Sequence, residues 1–357
     1  MINFCTLFNS NYLTRGLALY ESLCHVCPSF HLYVVAFDND CYGYLKGADL
    51  PNLTPISLSE FEDQELLAIK LTRSPAEYCW TCTPSVIAYC IKEYALPSCT
   101  YVDADMAFYH DPVILINEMG DESVLLTEHR YTNEYDQSKH NGRYCVQFMC
   151  FKDDARGMKA LLWWRKRCLE WCYDRLEDGK FGDQKYLDDW LERFEGVHVL
   201  QHIGGGVAPW NLQQFVFFNK NNKLFICSKI TGKEQPLVFF HFHGLRFYDN
   251  EMVSCSGTLY EMDKTVKELI YFPYIQKLLS LKQNLKNQNV EFNTDGAKSP
   301  SPKKLRVFTQ FLKERIGLYK LGNITPAKLK LTQFQLHNHF LELKSVTGEE
   351  YGPINRS

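Results

Sequence analysis

Apolar runs and helical patterns alternate through the first third of the chain. The apolar run from Ile2 to Phe8 predicts a strand, the pattern from about Leu13 to Cys24 predicts a helix, and the run from Phe30 to Phe37 predicts a second strand. A helical stretch of roughly Pro84 to Tyr94 leads into the segment from Cys99 to Asp103, which ends in acidic residues. Strands that alternate with helices form a parallel sheet with crossover helices. The sequence therefore predicts an α/β fold.

The alternation continues further along the chain. Strands predicted at 123–127 and 144–151 flank a polar loop at 131–142, and a helical stretch follows from Ala155 to Asp178. A later apolar run from Leu237 to Phe242 ends at a histidine. Because ligands bind at the carboxyl ends of strands in open α/β sheets, polar residues at these ends are the candidates for chemistry.

The composition changes near residue 281. Asn, Lys, Ser and Pro dominate as far as about residue 304, and hydrophobic periodicity then resumes from Leu305 to Leu312. We expect one domain over 1–280 and a basic, partly helical C-terminal extension over 281–357, with a linker over about 281–304.

Between residues 282 and 330 there are eleven Lys or Arg residues and three acidic ones. A basic amphipathic segment either lies on an anionic membrane surface or packs on the domain, and the sequence leaves both interpretations open.

Charge and cysteine content narrow the class of protein. The formal net charge of -3 argues against a nucleic-acid binder. The 14 cysteines are scattered, which favours a reducing compartment, and the single pair Cys79 and Cys82 lacks a second pair at zinc spacing. The first residues show no basic leader, and no apolar run approaches the ~20 residues needed to span a bilayer. We expect a cytoplasmic protein, soluble or peripheral at the inner face of the membrane.

The strongest local signal is an apolar strand that ends in two carboxylates, Asp103 and Asp105, with Ala104 between them. Two carboxylates this close are unfavourable unless a cation lies between them. Oxygen ligands of this type select Mg²⁺ or Mn²⁺, and such an ion can bridge the phosphates of a nucleotide. The motif alone is weak evidence, because acidic loops are common.

The second signal is the end of the strand that runs from Phe239, where His241, His243, Gly244 and Arg246 follow one another closely. Alternation places both histidines on one face. A neutral imidazole there could complete a metal's ligand set, glycine permits a close backbone approach, and the guanidinium could grip a phosphate. Taken alone, a histidine on such a strand is more often structural.

With these motifs, residues 1 to 250 resemble the GT-A glycosyltransferases, particularly the family 8 type that includes glycogenin and bacterial lipopolysaccharide glucosyl- and galactosyltransferases. The resemblance implies a Rossmann-like mixed sheet flanked by helices. It also implies a hexosyltransferase that depends on Mn²⁺ or Mg²⁺, uses a nucleotide-sugar donor, with UDP the leading nucleotide, and retains the anomeric configuration.

The resemblance also assigns roles to residues. The metal ligands would be Asp103, Asp105 and His243, and the groups at the reacting sugar and leaving group would be Asp183, Gln184 and Arg246. Contacts to the donor would come from Thr6, Phe8, Asn9, Tyr12, Lys70, Arg73, Asp103, Ala104, Gly244 and Arg246. Asp183 is equally suited to capping a helix.

Two segments depart from the family pattern. The chain has Tyr144 to Met149 where the family shows asparagine, a small residue and glycine. It has His243 to Arg246 where the family ends in His-x-x-Gly-x-x-Lys-Pro-Trp. The identity of the sugar and the stereochemical course therefore stay open.

Two further segments are candidates for contacts with the donor or the acceptor. The run Gly204 to Gly206 either approaches the donor or forms a plain turn, and Trp210 offers a stacking face for a sugar. Residues 128–130, which are Glu, His and Arg, follow a strand and could contact acceptor or sugar.

Two alternatives to a glycosyltransferase remain at this point. A nucleotidyltransferase uses a similar sheet and metal, but the segment from Phe8 to Gly16 lacks its glycine-rich basic loop. A catalytically silent scaffold would bind a nucleotide or sugar without turnover. For an enzyme, the acceptor would be a glycan, a glycolipid or a protein, as in the synthesis of cell-surface polysaccharide, and no nucleic-acid partner is expected.

Overall fold

A computed structural model describes residues 1–249, 251–257, 259–298, 304–320 and 340–347. The strands are β1 (Ile2–Phe8), β2 (Phe30–Ala36), β3 (Leu53–Ser57), β4 (Ser98–Val102), β5 (Met106–Phe108), β6 (Val124–Glu128), β7 (Tyr144–Lys152), β8 (Val197–Val199), β9 (Phe215–Lys220), β10 (Lys223–Ser228), β11 (Glu234–Pro236), β12 (Phe239–His241), β13 (Arg246–Tyr248), β14 (Met252–Ser254) and β15 (Phe340–Glu342).

The helices lie between these strands and after them. They are α1 (Leu13–Val26), α2 (Asn39–Ala48), α3 (Leu58–Phe61), α4 (Gln64–Lys70), α5 (Pro75–Glu93), α6 (Val113–Glu118), α7 (Ser138–Asn141), α8 (Ala155–Glu170), α9 (Trp190–Arg193), α10 (Lys264–Val266), α11 (Phe272–Asn287), α12 (Lys304–Lys320) and α13 (Leu343–Thr347). A π-helical turn, Lys267–Tyr271, joins α10 to α11.

The main sheet has seven strands in the order β3-β2-β1-β4-β7-β6-β8. Strands β1 to β4 are parallel, whereas β7 runs antiparallel to both β4 and β6. The prediction of an α/β fold with a mixed sheet flanked by helices is confirmed. Because β4 and β6 run in the same direction, their carboxyl ends and the beginning of β7 meet at one edge of the sheet.

Both faces of the sheet are buried. Along β1, Phe4 and Phe8 belong to one hydrophobic cluster, and Cys5 and Leu7 belong to another on the opposite side. Helices α1 and α11 contact one another, as do α5 and α8. Burial on both faces explains why the strands are continuous apolar runs rather than alternating ones.

Helix α5 begins nine residues before the predicted start at Pro84, because a strong cap lies upstream. The Ser74 backbone N–H donates to a Glu77 carboxylate oxygen at 2.8 Å, and the Glu77 N–H donates back to the Ser74 hydroxyl at 3.4 Å. Pro75 occupies the first helical turn, where its missing N–H costs nothing. This cap sets the start of the helix, so Pro84 lies inside it. Helix α8 also ends earlier than predicted, at Glu170 rather than Asp178.

The boundary predicted at residue 281 falls inside helix α11. Leu281 and Leu285 are buried in the same hydrophobic cluster as β1. Farther along, the buried Arg15 guanidinium donates to the backbone carbonyls of Asp295, at 2.8 Å, and Leu245, at 3.0 Å. Residues 281–298 therefore pack against the residues of the domain predicted over 1–280.

The basic extension is described only in part. Helix α12 lies where the sequence predicts hydrophobic periodicity, and residues 321–339 and 348–357 of the predicted extension fall outside the described residues. Within the described ranges, no helix combines the length and apolar character that a membrane span requires.

The glycine run at 204–206 has a packing role. A Cβ atom on Gly204 would lie 1.9 Å from the Pro236 carbonyl oxygen, and one on Gly205 would lie 2.6 Å from Leu200. Gly206 combines a φ of +92° with a Cβ position 2.7 Å from Thr127. Of the two interpretations left open by the sequence, the structure favours the structural one.

We expect Gly204→Ala to lower the free energy of unfolding by about 1–3 kcal/mol, because the methyl group meets backbone that cannot give way. The matched control is Gly43→Ala in α2, where an added Cβ has nothing within 4 Å. That change should raise the free energy of unfolding by about 0.5–1 kcal/mol, since alanine favours a helix. Denaturant unfolding measures both, and equal effects of the two substitutions would contradict this packing role.

Candidate metal centre and ligand cavity

Three strands bring the acidic motif and a histidine together. Strand β4 ends at Val102, and the Asp103 backbone N–H then donates to the Gln147 carbonyl of β7 at 3.2 Å. Strand β5 begins directly after Asp105 and pairs antiparallel with β12, which places His241 opposite Met106. Backbone pairing thus fixes both ends of the acidic motif.

The side chains of Asp103, Asp105 and His241 converge on one point. Nε2 of His241 lies 3.1 Å from Oδ1 of Asp105 and 3.7 Å from Oδ2 of Asp103. One ligand atom from each of the three lies within 4.8 Å of the other two. The Tyr101 hydroxyl donates to the other Asp103 oxygen at 3.0 Å. Two carboxylates and an imidazole in this arrangement fit a divalent cation such as Mn²⁺ or Mg²⁺.

The charges of this cluster determine one another. Burial alone would lower the pKa of His241, but the neighbouring Asp105 and Asp103 raise it well above its usual range. Burial tends to raise the pKa of Asp105, yet the His241 charge and hydrogen bond bring that pKa to about 2. Burial and the Asp105 charge raise the pKa of Asp103. Without a cation, a proton on Nε2 of His241 offsets the charge of the two carboxylates, and a cation held by all three side chains would take the place of that proton.

A cavity of about 360 Å³ opens beside this cluster, within the range of small-molecule sites. Its polar lining includes Asp103, Asp183, Gln184, His241 and His243. Its aromatic lining comprises Trp80, Tyr101, His129, Tyr131, Phe181, Trp210 and Tyr260. The lining of the cavity therefore combines charged and polar side chains with aromatic rings.

Asp183 is a buried carboxyl group in this cavity, 6% exposed. Burial and the charge of Asp103 raise its pKa to about 7. The residue precedes a short 3₁₀ helix, Gln184–Leu187, without capping it by its side chain. Its backbone carbonyl accepts a hydrogen bond from the Trp164 indole at 2.8 Å. Hydrogen bonds with the Thr83 side chain and the Gln184 backbone oppose this rise in pKa, so the carboxyl group contacts both the helix start and the cavity.

Two proteins of Bacillus subtilis (strain 168) are similar to this chain in sequence. The chain is 31% identical to YfnD over 284 residues, which are 77% of this chain and 88% of YfnD. It is 30% identical to YfnF over 304 residues, which are 83% of this chain and 97% of YfnF. The chain belongs to the family of YfnD and YfnF. Both relatives are described as uncharacterized, so this membership brings no activity with it.

Solved structures similar to this member of the YfnD family are more distant, and no protein-family model matches the chain. The galactosyltransferase LgtC, solved with donor and acceptor sugar analogues, is 12% identical, covers 80% of this chain and 100% of its own, and has a TM-score of 0.48. The glycosyltransferase GlyE of Streptococcus pneumoniae is 11% identical, covers 85% of this chain and 66% of its own, and has a TM-score of 0.43. Neither likeness transfers an activity to the chain.

The histidine at the acidic pair differs from the sequence expectation. His243 was expected as the third metal ligand, but His241 is the residue that approaches both carboxylates. Strand β12 ends at His241, and the chain turns at Gly244, whose φ is +79°. His243 consequently lies beside the cluster, 5.7 Å from His241 between ring centroids, and is exposed.

The residues expected to bind the donor near the first strand have varied surroundings. Thr6 and Phe8 are buried in the sheet, and Asn9 follows β1 with its carbonyl accepting from the Tyr12 N–H at 2.9 Å. Tyr12 is 41% exposed, and burial and the Asp105 charge raise its pKa. Of these residues, Tyr12 is thus the one that the acidic cluster influences.

Lys70 and Arg73 are engaged by the protein itself. Lys70 forms an ion pair with Glu62 at 2.6 Å. Arg73 donates to the Tyr173 hydroxyl and to the Leu169 carbonyl, and its guanidinium stacks on the Tyr173 ring. Neither residue is among those that line the cavity.

The remaining expected residues divide between the site and the scaffold. Gln184 lines the cavity, Ala104 is buried between the two aspartates, and Arg246 is an exposed cation at the start of β13. Trp210 lines the cavity, but its indole N–H is committed to the His129 carbonyl at 3.0 Å.

The segment at 128–130 is mostly structural. Glu128 pairs with Arg143 at 2.8 Å, and Arg130 donates to the backbone carbonyls of His202 and Gly205. His129 alone of the three lines the cavity, where burial lowers its pKa to about 3.

Several cavity residues were missed by sequence reasoning. Gln147 is a polar residue inside the otherwise apolar strand β7, and that break in the pattern is a signal that could have found it. Trp80 and Phe181 lie far apart in the chain, with ring centroids 6.5 Å apart, and nothing local marks either one.

We expect Mn²⁺ to stabilise the metal-free protein by about 2.7 kcal/mol at a free concentration of 100 times its Kd, because the folded state alone holds the three ligands together. Asp105→Asn should abolish this stabilisation, and Asp153→Asn, which changes an exposed aspartate outside the site, should preserve it. Thermal unfolding with and without Mn²⁺ measures the effect. Equal stabilisation of the two variants would place the cation elsewhere.

We expect Asp183→Asn to change how stability depends on pH. The raised pKa means that the folded state binds one more proton than the unfolded state between about pH 4 and pH 7, so this group lowers stability as pH rises. The variant's free energy of unfolding relative to wild type should therefore grow by about 1.4 kcal/mol per pH unit across that window. Denaturant unfolding in the presence of a chelator measures it, and a difference that does not vary with pH would be contrary to this expectation.

Proposed function

We propose that the chain is a metal-dependent glycosyltransferase of the GT-A type that moves a hexose from a nucleotide diphosphate, UDP foremost, to an acceptor. The observation that carries the proposal is the meeting of Asp103, Asp105 and His241 beside a cavity of about 360 Å³ that Asp103 and His241 line. The motifs that resemble family 8 glycosyltransferases lie at this same edge of the sheet.

The donor set suits a cation that binds diphosphate. Carboxylate oxygens with one imidazole accept Mn²⁺ or Mg²⁺, and the side chains of Asp103 and Asp105 are 28% and 15% exposed, so the open side faces solvent and ligand. When bound, such an ion supplies positive charge that stabilises the departing nucleotide diphosphate.

The chain's own residues hold the donor around that position. Arg246 is an exposed cation whose charge acts to lower the pKa of both His243 and Tyr12. We propose that it binds the phosphates of the leaving group. The Arg246 guanidinium would then stabilise the negative charge that develops on the diphosphate as the sugar leaves. Because this charge is greatest in the transition state, the interaction lowers the activation barrier of the transfer more than it tightens binding of the donor.

Asp183 and Gln184 belong to the reacting sugar in this proposal. Both residues line the same cavity as Asp103. A carboxyl group with a pKa of about 7 exchanges its proton near neutral pH, and the charge of Asp103 contributes to that value. A carboxylate facing the sugar ring would stabilise positive charge at the anomeric carbon, and we propose that the anomeric configuration is retained.

The acceptor enters beside the aromatic wall. Rings such as Trp80, Phe181 and Tyr260 present apolar faces suited to the C–H surface of a sugar, so we propose a glycan or glycolipid acceptor. We propose a cytoplasmic location, which the free cysteines support. Contact of the basic segment 282–330 with an anionic membrane surface belongs to the same proposal.

Turnover of nucleotide sugars tests the function directly. Release of the nucleotide (UDP, GDP or CMP) from a panel of UDP-, GDP- and CMP-sugars is measured with Mn²⁺ for wild type, Asp105→Asn and the control Asp153→Asn. We expect release from one donor by wild type and the control, and a loss of at least about 100-fold in Asp105→Asn, since an ion held by fewer ligands binds and acts poorly.

Other outcomes identify other functions. Release of pyrophosphate from a nucleoside triphosphate supplied together with a sugar phosphate, with no release of nucleotide from any nucleotide sugar, would identify a nucleotidyltransferase. Binding of a nucleotide sugar without turnover, unaffected by Asp105→Asn, would identify a silent binding protein.

A further inference from the structure

Gln147 occupies an unusual place in the sheet. It lies in β7, is fully buried, and is the polar break in a strand that is otherwise apolar up to Lys152. The segment that contains it, Tyr144 to Met149, is also where the chain departs from the family pattern noted in its sequence. A buried amide in a sheet interior is unfavourable unless its hydrogen bonds do something specific.

Gln147 contacts two of the three residues of the metal centre. Its backbone carbonyl accepts from the Asp103 N–H at 3.2 Å, at the point where β4 gives way to the acidic motif. Its side-chain Oε1 lies 2.8 Å from Nδ1 of His241. One residue of the antiparallel strand β7 therefore holds a ligand from β4 with its backbone and a ligand from β12 with its side chain.

The side-chain contact decides which imidazole nitrogen faces the carboxylates. A carbonyl oxygen only accepts, so Nδ1 of His241 must carry the proton in this bond. In the neutral imidazole the lone pair is then on Nε2, the atom that lies 3.1 Å from Asp105 and 3.7 Å from Asp103. A hydrogen bond from the distal nitrogen of a histidine fixes its tautomer and ring orientation and raises its strength as a ligand.

The other surroundings of His241 do not replace this contact. The Trp210 ring meets the His241 ring edge-on at 5.5 Å between centroids, and His243 does so at 5.7 Å. Both contacts confine the ring but accept no hydrogen bond from Nδ1. The Cys145 thiol also contacts the His241 ring, but sulfur is a weak acceptor, and the Gln147 oxygen at 2.8 Å from Nδ1 is the stronger partner.

We propose that Gln147 is a positioning residue for the metal centre, which presents Nε2 of His241 to the cation and aligns Asp103 through the β4–β7 pairing. The inference rests on the proposed function, because it concerns the same site.

The test uses the full chain with Mn²⁺ alone, without any sugar donor. Mn²⁺ affinity is measured by titration for wild type, Gln147→Leu and Gln147→Glu, with Gln64→Leu, an exposed position at the start of α4, as the matched control. We expect Gln147→Leu to weaken Mn²⁺ binding about 10- to 100-fold, because Nδ1 loses its acceptor. Gln147→Glu keeps an acceptor oxygen and should bind within a few-fold of wild type, and the control should not change.

A second readout separates orientation from a general loss of folding. In protein loaded with Zn²⁺, which is diamagnetic, the ¹⁵N shifts of His241 should show a protonated Nδ1 and a metal-bound Nε2 in wild type and Gln147→Glu. In Gln147→Leu the fixed assignment should be lost while thermal unfolding of the metal-free protein remains cooperative.

The outcomes distinguish this inference from the function on which it rests. Equal Mn²⁺ affinity for wild type and Gln147→Leu would overturn the role of Gln147 and leave the metal centre intact. Equal weakening of Mn²⁺ binding by Gln147→Leu and Gln147→Glu would also overturn it, since the loss would then come from the shape of the side chain and not from the missing acceptor oxygen. A wild-type protein that binds no Mn²⁺ would instead overturn the proposed metal centre itself.

Discussion

The repulsion between two partly buried carboxylates, Asp103 and Asp105, is the constraint on which the rest of the site depends. Both are held by backbone pairing, one against β7 and the other against β12, so neither can move away. A positive charge between them, or a proton on one of them, relieves this repulsion. Protonated His241 fills that role in the metal-free chain, and the geometry offers the same place to a divalent cation.

The sheet topology explains how so few residues form the centre. Strand β7 runs antiparallel between β4 and β6, so its first residues lie beside the carboxyl ends of both neighbours. The two-stranded pairing of β5 with β12 then brings a histidine from more than a hundred residues later to the same edge. Burial on both faces of the sheet makes this edge rigid, which a preorganised site requires.

Much of the fold and half of the centre could be predicted from local patterns. Asp103 and Asp105 were predicted because they follow an apolar run directly. His243 was predicted as the third ligand in place of His241, since alternation puts both on one face and the strand's end at His241 depends on distant pairing. The start of α5 was missed because Pro84 masks the cap at Ser74, and Trp80 was lost with it. Gln147 acts only through its neighbours across the sheet.

Anomalous scattering from crystals grown with Mn²⁺ and UDP tests the central claim most directly. The account predicts a single strong manganese peak bonded to the carboxylates of Asp103 and Asp105 and to Nε2 of His241, with Nδ1 still facing Gln147. A peak bonded to His243 in place of His241, or no manganese at the acidic pair, would contradict it.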